Sequence, residues 1–453
     1  METKGNKPSL GWAILSLVLP VAMILYGTLV VGVRPPVLPL IGAVALAGLM
    51  GLKTGYRWEE LQEGMFEALG RIQIAIAILA LVGMIIAAWL ASGTIPAIIY
   101  WGLKLIAPEH FLLSAMVLCS VASIATGTSF GTMGTIGVAL LGVGQALGYP
   151  PAMTVGAIVS GAYIGDKMSP VSDTTNLASG ITGTNIFSHI GSMLYTTVPA
   201  TLVALGLYWY LGLNYSGGAM PDLTPITDAL SANFNRSFLL ALPPIVLVAL
   251  AIRGIPPLPT LVIAILVGVV CAFVIQDGMT VKGMFKAATD GYVSQTGHPL
   301  VDKILSRGGL TSMSFVVFLL LIAMTLGGIL EGTGALGATL VSCYLMTIGT
   351  GNGMLSIIVP ARAFEKKFRD MGIQSRVLSR TLEDAVTLGI ALVPYSMAAF
   401  FIVGVLKIDA MQYIPYAFVN WIVPIFSLTY GFTGFAIWKI NKDAGNSPAE
   451  SEA

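Results

Sequence analysis

Long apolar runs, separated by short polar segments, recur along the whole chain and predict an all-α protein that crosses a membrane many times. A helix needs about 20 mostly apolar residues to cross the hydrocarbon core of a bilayer. Ten runs approach or exceed that length: residues 10–33, 36–52, 72–92, 152–188, 190–213, 236–253, 257–276, 312–331, 378–405 and 414–438. The pattern therefore predicts a polytopic helical membrane protein.

Two further apolar segments are predicted to enter the membrane and turn back. The first is a helical hairpin at 111–147, whose arms, about 111–125 and 132–147, are each too short to cross alone and flank the polar tip 125–134. The second hairpin is predicted at 335–372.

The two halves of the chain also resemble each other weakly, at an offset of about 220 residues. The matched residues are Pro35-Pro36 with Pro256-Pro257, Gly64-Met65-Phe66 with Gly283-Met284-Phe285, and, at an offset of 224, Gly127, Gly165, Pro170 and Ser172 with Gly351, Gly389, Pro394 and Ser396. We therefore predict a duplicated transporter fold. Its parts are a first repeat at 1–213 with a broken span at 152–188, a loop at 214–235, a second repeat at 236–438 with a broken span at 378–405, and a polar C-terminal tail at 439–453.

The number of spans decides how the repeats are oriented. About five spans per repeat is an odd number, which forces the two halves to insert in opposite directions and predicts inverted repeats. The basic cluster from Arg362 to Arg380 favours an orientation with both termini in the cytoplasm. The stretch from Ile95 to Ala107 is predicted to be an interfacial helix; if it crosses as a short sixth span, the repeats are parallel instead.

Composition excludes several other classes of protein. Of the 453 residues, 56% are hydrophobic and 10% are charged, which is incompatible with a soluble core. A formal net charge of +1 gives no reason to expect a nucleic-acid partner. Cys119, Cys271 and Cys343 lack metal-ligand spacing, and no GxxxxGK[ST] phosphate loop is present. We therefore expect neither an enzyme nor a bound cofactor.

The segment GDKMSPVSDTTN at 165–176 interrupts an apolar run with two carboxylates, Asp166 and Asp173. An ionised carboxylate at the bilayer centre costs about 2.5–3.5 kcal/mol on insertion scales, so it indicates function. Pro170 blocks a continuous helix and frees backbone carbonyls as ligands. Further oxygen ligands come from Ser169, Thr174 and Asn176. We predict a sodium site at Asp166 and Asp173; alternatively, Lys167 neutralises Asp166 while Asp173 caps the next half-helix.

Polar residues elsewhere are predicted to join the same site. At the hairpin tips these are Thr128, Ser129 and Asn352, and at the start of the second broken span they are Thr381, Glu383 and Asp384. The alternative for Asp384 is an i, i+4 pair with Arg380 at the cytoplasmic interface. His189 and Glu331 each end a predicted span, where a polar side chain ordinarily reaches water.

With these motifs the chain resembles the NhaC-type sodium/proton antiporters of the ion transporter superfamily, which also contains malate/lactate exchangers. The resemblance covers nearly the full length and is carried by GTSFGTMGTIG, GDKMSPVSDTTNLASG, SRGGLTSMS, GGILEGTG, LSRTLEDA, PYAFVNW and YGFTGF. It implies a bacterial or archaeal inner-membrane transporter that expels sodium in exchange for protons. It also implies site residues: Asp166, Ser169, Asp173, Thr174 and Asn176, with Glu383 and Asp384 as partners. The second broken span reads VPYSMAAF where Pro-Trp is commoner, which leaves the substrate open.

Our hypothesis is therefore exchange of sodium or lithium for protons, by competition at buried carboxylates. The expected partners are these ions and the lipid bilayer, and a homodimer is left open. One alternative is a sodium- or proton-coupled exchanger of small organic acids or amino acids. An intramembrane aspartyl protease is disfavoured, because Tyr163 stands where a Gly-x-Gly-Asp motif needs its first glycine.

Overall fold

In the described part of the chain, the predicted all-α architecture is confirmed. The computed structural model describes residues 10–33, 37–71, 73–215, 223–253, 255–332, 343–344, 347–348, 351 and 353–440. These residues form helices joined by short turns, and their only β-type pairings are two isolated bridges. The helices combine long apolar stretches with short or bent segments, as expected for a polytopic membrane protein.

Helices occupy all five spans predicted in the first half, and the first hairpin as well. They are α1 (Leu10–Leu25), α2 (Val37–Lys53), α3 (Trp58–Arg71), α4 (Gln73–Ala91), α5 (Thr94–Leu105), α6 (Phe111–Thr126), α7 (Ser129–Thr132), α8 (Val138–Ala146), α9 (Pro151–Met168), α10 (Asp173–Ile181) and α11 (Ile186–Tyr215).

The second half is helical at its five predicted spans too. Its helices are α12 (Thr224–Asn233), α13 (Leu242–Ile252), α14 (Pro257–Ile275), α15 (Val281–Asp290), α16 (Pro299–Leu305), α17 (Leu310–Gly332), α18 (Gly353–Asp370), α19 (Ser375–Val386), α20 (Met397–Leu406), α21 (Ala410–Tyr413) and α22 (Phe418–Thr433). Of the second predicted hairpin, residues 333–342, 345–346, 349–350 and 352 lie outside the described part of the chain.

Length and composition single out the helices that can cross a membrane alone. Among the described residues there are four, or up to seven if each sharply bent helix pair counts as one span. One of the four is the first hairpin arm, because a 3-10 turn at Pro108–His110 extends α6 beyond the predicted length. The re-entrant path of this hairpin stays a prediction.

The stretch Ile95 to Ala107 contains a helix that follows α4 at a sharp bend. Helix α5 is bent by 69° from the end of α4 and has only 12 residues, too few to cross alone. It is also largely buried, and it packs on α8 with Ile99 beneath Gly142; its place relative to the membrane stays a prediction.

Two amphipathic helices, α3 and α15, were missed by the sequence analysis. They have equivalent packing partners in the two halves of the chain. Helix α3 packs on α17, where Gly64 and Gly328 bring the two backbones close together. Helix α15, its counterpart at the predicted repeat offset, packs on α4. This reciprocal packing supports the two-repeat interpretation, which stays a prediction.

The tip of the first hairpin is a tight turn. Helix α6 ends at Gly127, whose φ of 66° lies in the left-handed region that favours glycine. Thr128 then caps the next helix by accepting a hydrogen bond from Gly131 N at 3.3 Å. A Cβ on Gly127 would meet the backbone of Val171 and Ser172, so the tip rests directly on the broken span.

The first broken span is interrupted where the sequence predicts. Helix α9 ends at Met168, the chain is extended at Ser169, and α10 begins at Asp173 with Ser172 as its N-cap residue. Helices α6 and α9 pack closely, because Gly161 and Gly165 leave room for the backbone of α6.

The second broken span has a similar interruption. The segment Ser375–Leu392, which contains α19, is bent by 46° from α20. Gly351, with a φ of 62°, packs against Tyr395 and Ser396 much as Gly127 packs against Val171 and Ser172. In both halves, a glycine of the predicted hairpin thus contacts the interruption of the broken span.

We expect Gly161→Ala to destabilise the protein. An added Cβ would lie 2.2 Å from Met116 O, a backbone atom, and overpacking of this kind costs about 1–3 kcal/mol. The measurement is the thermal unfolding midpoint in detergent. The matched control is Gly206→Ala on α11, where a Cβ meets nothing within 4 Å. Equal midpoints for the two variants would contradict the close packing of α6 on α9.

Candidate ion-binding site

Asp166 lies where the hairpin tip meets the break of the first broken span. Its Oδ2 accepts a hydrogen bond from Ser129 Oγ at 2.6 Å, and its Oδ1 accepts one from Ser172 Oγ at 2.7 Å. Ser172 Oγ also lies 3.2 Å from Thr174 Oγ1. One carboxylate and three hydroxyls thus gather at one point, which is the kind of hard oxygen set that an alkali cation prefers.

Other predicted site residues hold the break in shape. Ser169 Oγ donates to Ile124 O at 2.8 Å and so ties the break to α6. The Asn176 amide donates to the carbonyls of Pro170 and Ser172, both at 2.8 Å. Thr128 caps α7 by accepting a hydrogen bond from Gly131 N. These side chains already have backbone partners, so they position the site.

Asp173 stands apart from these hydroxyls. It is the first residue of α10 and its side chain is exposed, although it lies close enough to Asp166 for the two charges to repel. The i, i+7 spacing would place both carboxylates on one face only if a single helix contained them. The helix is interrupted at Pro170, between the two residues, so the carboxylates of Asp166 and Asp173 have different surroundings.

Glu383 is completely buried on α19. Neither of its carboxylate oxygens has a hydrogen-bond partner among the described residues. The hydroxyls of Thr387 and Thr174 and the charges of Lys167 and Asp166 act electrostatically on this carboxylate. A buried carboxylate without donors is costly unless it is protonated or binds a cation. Among the described residues, no hydrogen bond occupies either of its oxygens.

Lys167 and Asp384 form an ion pair with no exposed side-chain surface, which joins the two broken spans. Lys167 Nζ also donates to Thr197 Oγ1 at 2.8 Å, and Thr196 Oγ1 donates to Asp384 Oδ1 at 3.0 Å. The alternative that Lys167 neutralises Asp166 is therefore wrong for this structure. Ser172 occupies the N-cap position of α10, without a capping hydrogen bond from its side chain, and Asp173 is the first helical residue, so Asp173 is not the N-cap residue.

Arg380 is the second cation near Asp384. Its Nε lies 4.0 Å from Asp384 Oδ2, and both side chains are buried, so the proposed i, i+4 contact exists but away from water. Two buried carboxylates, Glu383 and Asp384, and the partly buried Asp166 share this region with two buried cations, Lys167 and Arg380. The cluster therefore carries one net negative charge when all five groups are ionised, and a single monovalent cation or proton neutralises it.

Several other candidates are placed differently from expectation. His189 does not reach water: it is fully buried, with its Nδ1 at 2.8 Å from Ser379 Oγ. Thr381 Oγ1 donates to Val377 O of its own helix at 2.8 Å. Asn352 and the side chain of Glu331 lie outside the described residues.

Tyr163 is a site residue that the sequence analysis missed. Its hydroxyl is buried without a hydrogen-bond partner among the described residues, and it lies near Asp166, Ser129 and Tyr413. The only sequence signal was its spacing: Tyr163 precedes Asp166 by three residues, so the two share a face of α9.

Removing one member of the Lys167–Asp384 pair should destabilise the fold more than removing both. Lys167→Met leaves a buried carboxylate without its closest cation, which costs about 3–5 kcal/mol. The double variant Lys167→Met/Asp384→Leu should regain at least half of that loss, because an apolar pair of similar volume is often neutral. Unfolding midpoints in detergent measure both, with exposed Lys282→Met as the control. Additive losses would contradict direct pairing.

Comparisons with known proteins identify the family of this chain. A model described as the Na+/H+ antiporter family matches residues 161–340 and 336–435, which include the interruptions of both broken spans. Among curated relatives, the Na+/H+ antiporter NhaC of Alkalihalophilus pseudofirmus is 36% identical, covering 96% of this chain and 98% of its own.

Two further relatives are named for other transport activities. The arginine/ornithine antiporter ArcD of Halobacterium salinarum is 34% identical, over 98% of this chain and 96% of its own. The malate-2H+/Na+-lactate antiporter of Bacillus subtilis is 32% identical, over 87% of this chain and 88% of its own. Similarity of this extent shows the family. The chain is a member of the Na+/H+ antiporter family.

Proposed function

We propose that this protein exchanges sodium or lithium for protons, and that Asp166 and Glu383 bind the exchanged ions. The observation that carries the proposal is the Glu383 carboxylate, which is buried without a hydrogen-bond partner among the described residues and is within electrostatic range of Asp166. Neither group has the neutralising partner that a purely structural carboxylate needs at this depth. Family membership supports the choice of ions.

Competition for the same oxygens couples the two ions. When Asp166 and Glu383 are both ionised, their repulsion is relieved by a sodium ion bound among the carboxylates and the hydroxyls of Ser129, Ser172 and Thr174. When protons occupy the carboxylates, the negative charge that attracts sodium is lost. Because Glu383 is fully buried and Asp166 is partly buried, screening by water is reduced, and each ion disfavours the other.

The Lys167–Asp384 pair holds the two broken spans together at this point. Lys167 follows Asp166 on α9, and Asp384 follows Glu383 on α19, so each ion-binding carboxylate is the direct neighbour of one partner of the pair. A shift of α19 relative to α9 therefore changes the distance between Asp166 and Glu383. Movement of the broken spans and hairpins against the other helices would then expose the site to each side in turn.

Asp173 and a cavity near the hairpin tip are the proposed approaches to the site. Asp173 is exposed yet close to Asp166, which suits a group that attracts cations to the entrance. Beyond the hairpin tip, a cavity is lined by Thr126, Thr128 and Thr260 among apolar residues of α13 and α14. We assign this cavity to the opposite approach.

The protein is proposed to lie in a bacterial or archaeal cytoplasmic membrane with both termini inside. The basic residues between Arg362 and Arg380 support this orientation, because cytoplasmic segments carry an excess of Lys and Arg. The transported ions and the surrounding lipid are its proposed partners.

Exchange of an organic solute is the second candidate function. Relatives of similar identity are named for malate with lactate and for arginine with ornithine. Flux measured with sodium as the only added solute separates the two functions. Proton movement under that condition supports plain antiport, whereas movement that needs an added organic acid or amino acid supports the alternative.

Neutralising single carboxylates should separate the roles of these groups in reconstituted vesicles. We expect Asp166→Asn and Glu383→Gln each to lower sodium-dependent proton flux at least about 100-fold, equivalent to about 2.7 kcal/mol. Asp173→Asn should mainly raise the apparent KM for sodium, because it removes attraction at the entrance and leaves the binding oxygens in place. A pH-sensitive dye inside the vesicles reports the flux.

Exposed Asp228→Asn on α12 is the matched control, and its flux should equal that of the parent protein. Parental flux and affinity in both Asp166→Asn and Glu383→Gln would mean that the exchange occurs elsewhere.

A further inference from the structure

The segment that follows α22 folds back onto the start of α19. We call residues Gly434–Ile440 the C-terminal strap. Gln374 N donates to Trp438 O at 2.9 Å and Ile440 N donates to Gly372 O at 2.7 Å, so Ile373 and Lys439 face each other as an antiparallel bridge. The predicted polar tail 439–453 thus begins inside an ordered contact, and residues 441–453 lie outside the described part of the chain.

The strap reverses direction through two left-handed residues. Gly434 has a φ of 76° and ends α22, and Ala436 has a φ of 53°. A residue with a Cβ rarely adopts this conformation, and it persists only where the surrounding contacts enforce it. At Ala436 the enforcing contact is the hydrogen bond that its carbonyl accepts from Arg380 NH1 at 2.9 Å.

Trp438 binds the two arginines of α19 on its indole ring. The guanidinium carbon of Arg376 lies 4.5 Å from the ring centroid, and that of Arg380 lies 5.5 Å from it. The edge of Tyr195 packs against the same ring, with centroids 5.2 Å apart. Cation–π attraction is strongest for tryptophan, so the strap fixes the position of both positive charges.

Arg380 connects the strap to the ion-binding cluster. Its head contacts Ala436 and Trp438, while its Nε lies 4.0 Å from Asp384, the partner of Lys167. Arg380 is only 1% exposed, so its charge acts on Asp384 with little screening. If the strap leaves, the guanidinium loses two of the contacts that keep it there.

We propose that the strap is a latch and that Arg380 and Trp438 are positioning residues for the exchange. Docked, the strap pins the start of α19 to the end of α22 and holds a cation beside Asp384. Because Glu383 and Asp384 are fully buried, an ion reaches them only if a neighbouring element moves. Release of the strap frees α19 for that movement. This inference rests on the proposed function, since it assigns the latch to the same transport cycle.

A reversible cross-link tests the latch. Ile373 and Lys439 form a non-hydrogen-bonded antiparallel pair, because the two backbone hydrogen bonds are made by their neighbours. Such pairs have Cα atoms about 4.5 Å apart, which suits a disulfide. In Ile373→Cys/Lys439→Cys, oxidation should lower sodium-dependent proton flux at least tenfold, and reduction should restore it. Each single variant should keep parental flux in both redox states. The native Cys119, Cys271 and Cys343 are buried and are not expected to interfere.

Parental flux from fully cross-linked protein would overturn the latch. If the unmodified parent shows no sodium-dependent flux, the proposed function fails instead, so the two failures are distinguishable.

Substitutions of Trp438 provide a second test, which does not depend on cross-linking. Trp438→Leu should lower the apparent KM for sodium at least threefold with a retained maximal rate, because Arg380 no longer opposes a cation near Asp384. Trp438→Phe keeps a ring and should stay within twofold of the parent. Phe435→Leu alters another strap aromatic, which contacts Tyr195 and Tyr430 but neither arginine, and should leave the KM unchanged. An unchanged KM in Trp438→Leu would contradict the positioning role.

Discussion

Burial of charge is the constraint on which the rest of this structure depends. Lys167 and Asp384 each lie at a helix interruption, and each would be prohibitively costly to bury without the other. Their pairing allows α9 and α19 to meet in the interior with polar residues at the contact. It also brings Asp166 and Glu383, the direct sequence neighbours of the pair, into the same region. Lys167 and Asp384 neutralise each other, whereas Asp166 and Glu383 are proposed to bind the transported ions.

Glycine and proline create the space that this arrangement needs. Pro170 ends α9 just beyond Asp166, and Gly165 lets α6 approach so closely that Ser129 reaches the Asp166 carboxylate. At the offset of 224 residues, the equivalent of Asp166 is Ile390, so the matching contact of Gly351 with Ser396 has no counterpart of that carboxylate in sequence. Two halves with similar backbones therefore contribute different chemistry: the first half provides hydroxyls and Asp166, and the second provides Glu383 and Asp384.

Much of this fold could be predicted from hydropathy, because membrane-spanning helices must satisfy their own backbone and therefore appear as apolar runs. Helices α3 and α15 were missed because they are amphipathic: α3 carries Glu59, Glu60, Glu63 and Glu67. The acidic residues of the site were recognisable, since their types are costly in lipid. Their partners were not, because Lys167 and Asp384 are 217 residues apart and no local pattern specifies a contact over that distance.

The central claim is that sodium and protons occupy the carboxylates of Asp166 and Glu383 in turn. Proton release on sodium binding tests it most directly, using purified protein in weakly buffered detergent solution with a pH indicator. We predict that sodium, but not choline, releases protons until the site is saturated, and that Asp166→Asn/Glu383→Gln releases none. Sodium binding without proton release, or equal release from the double variant, would contradict the account.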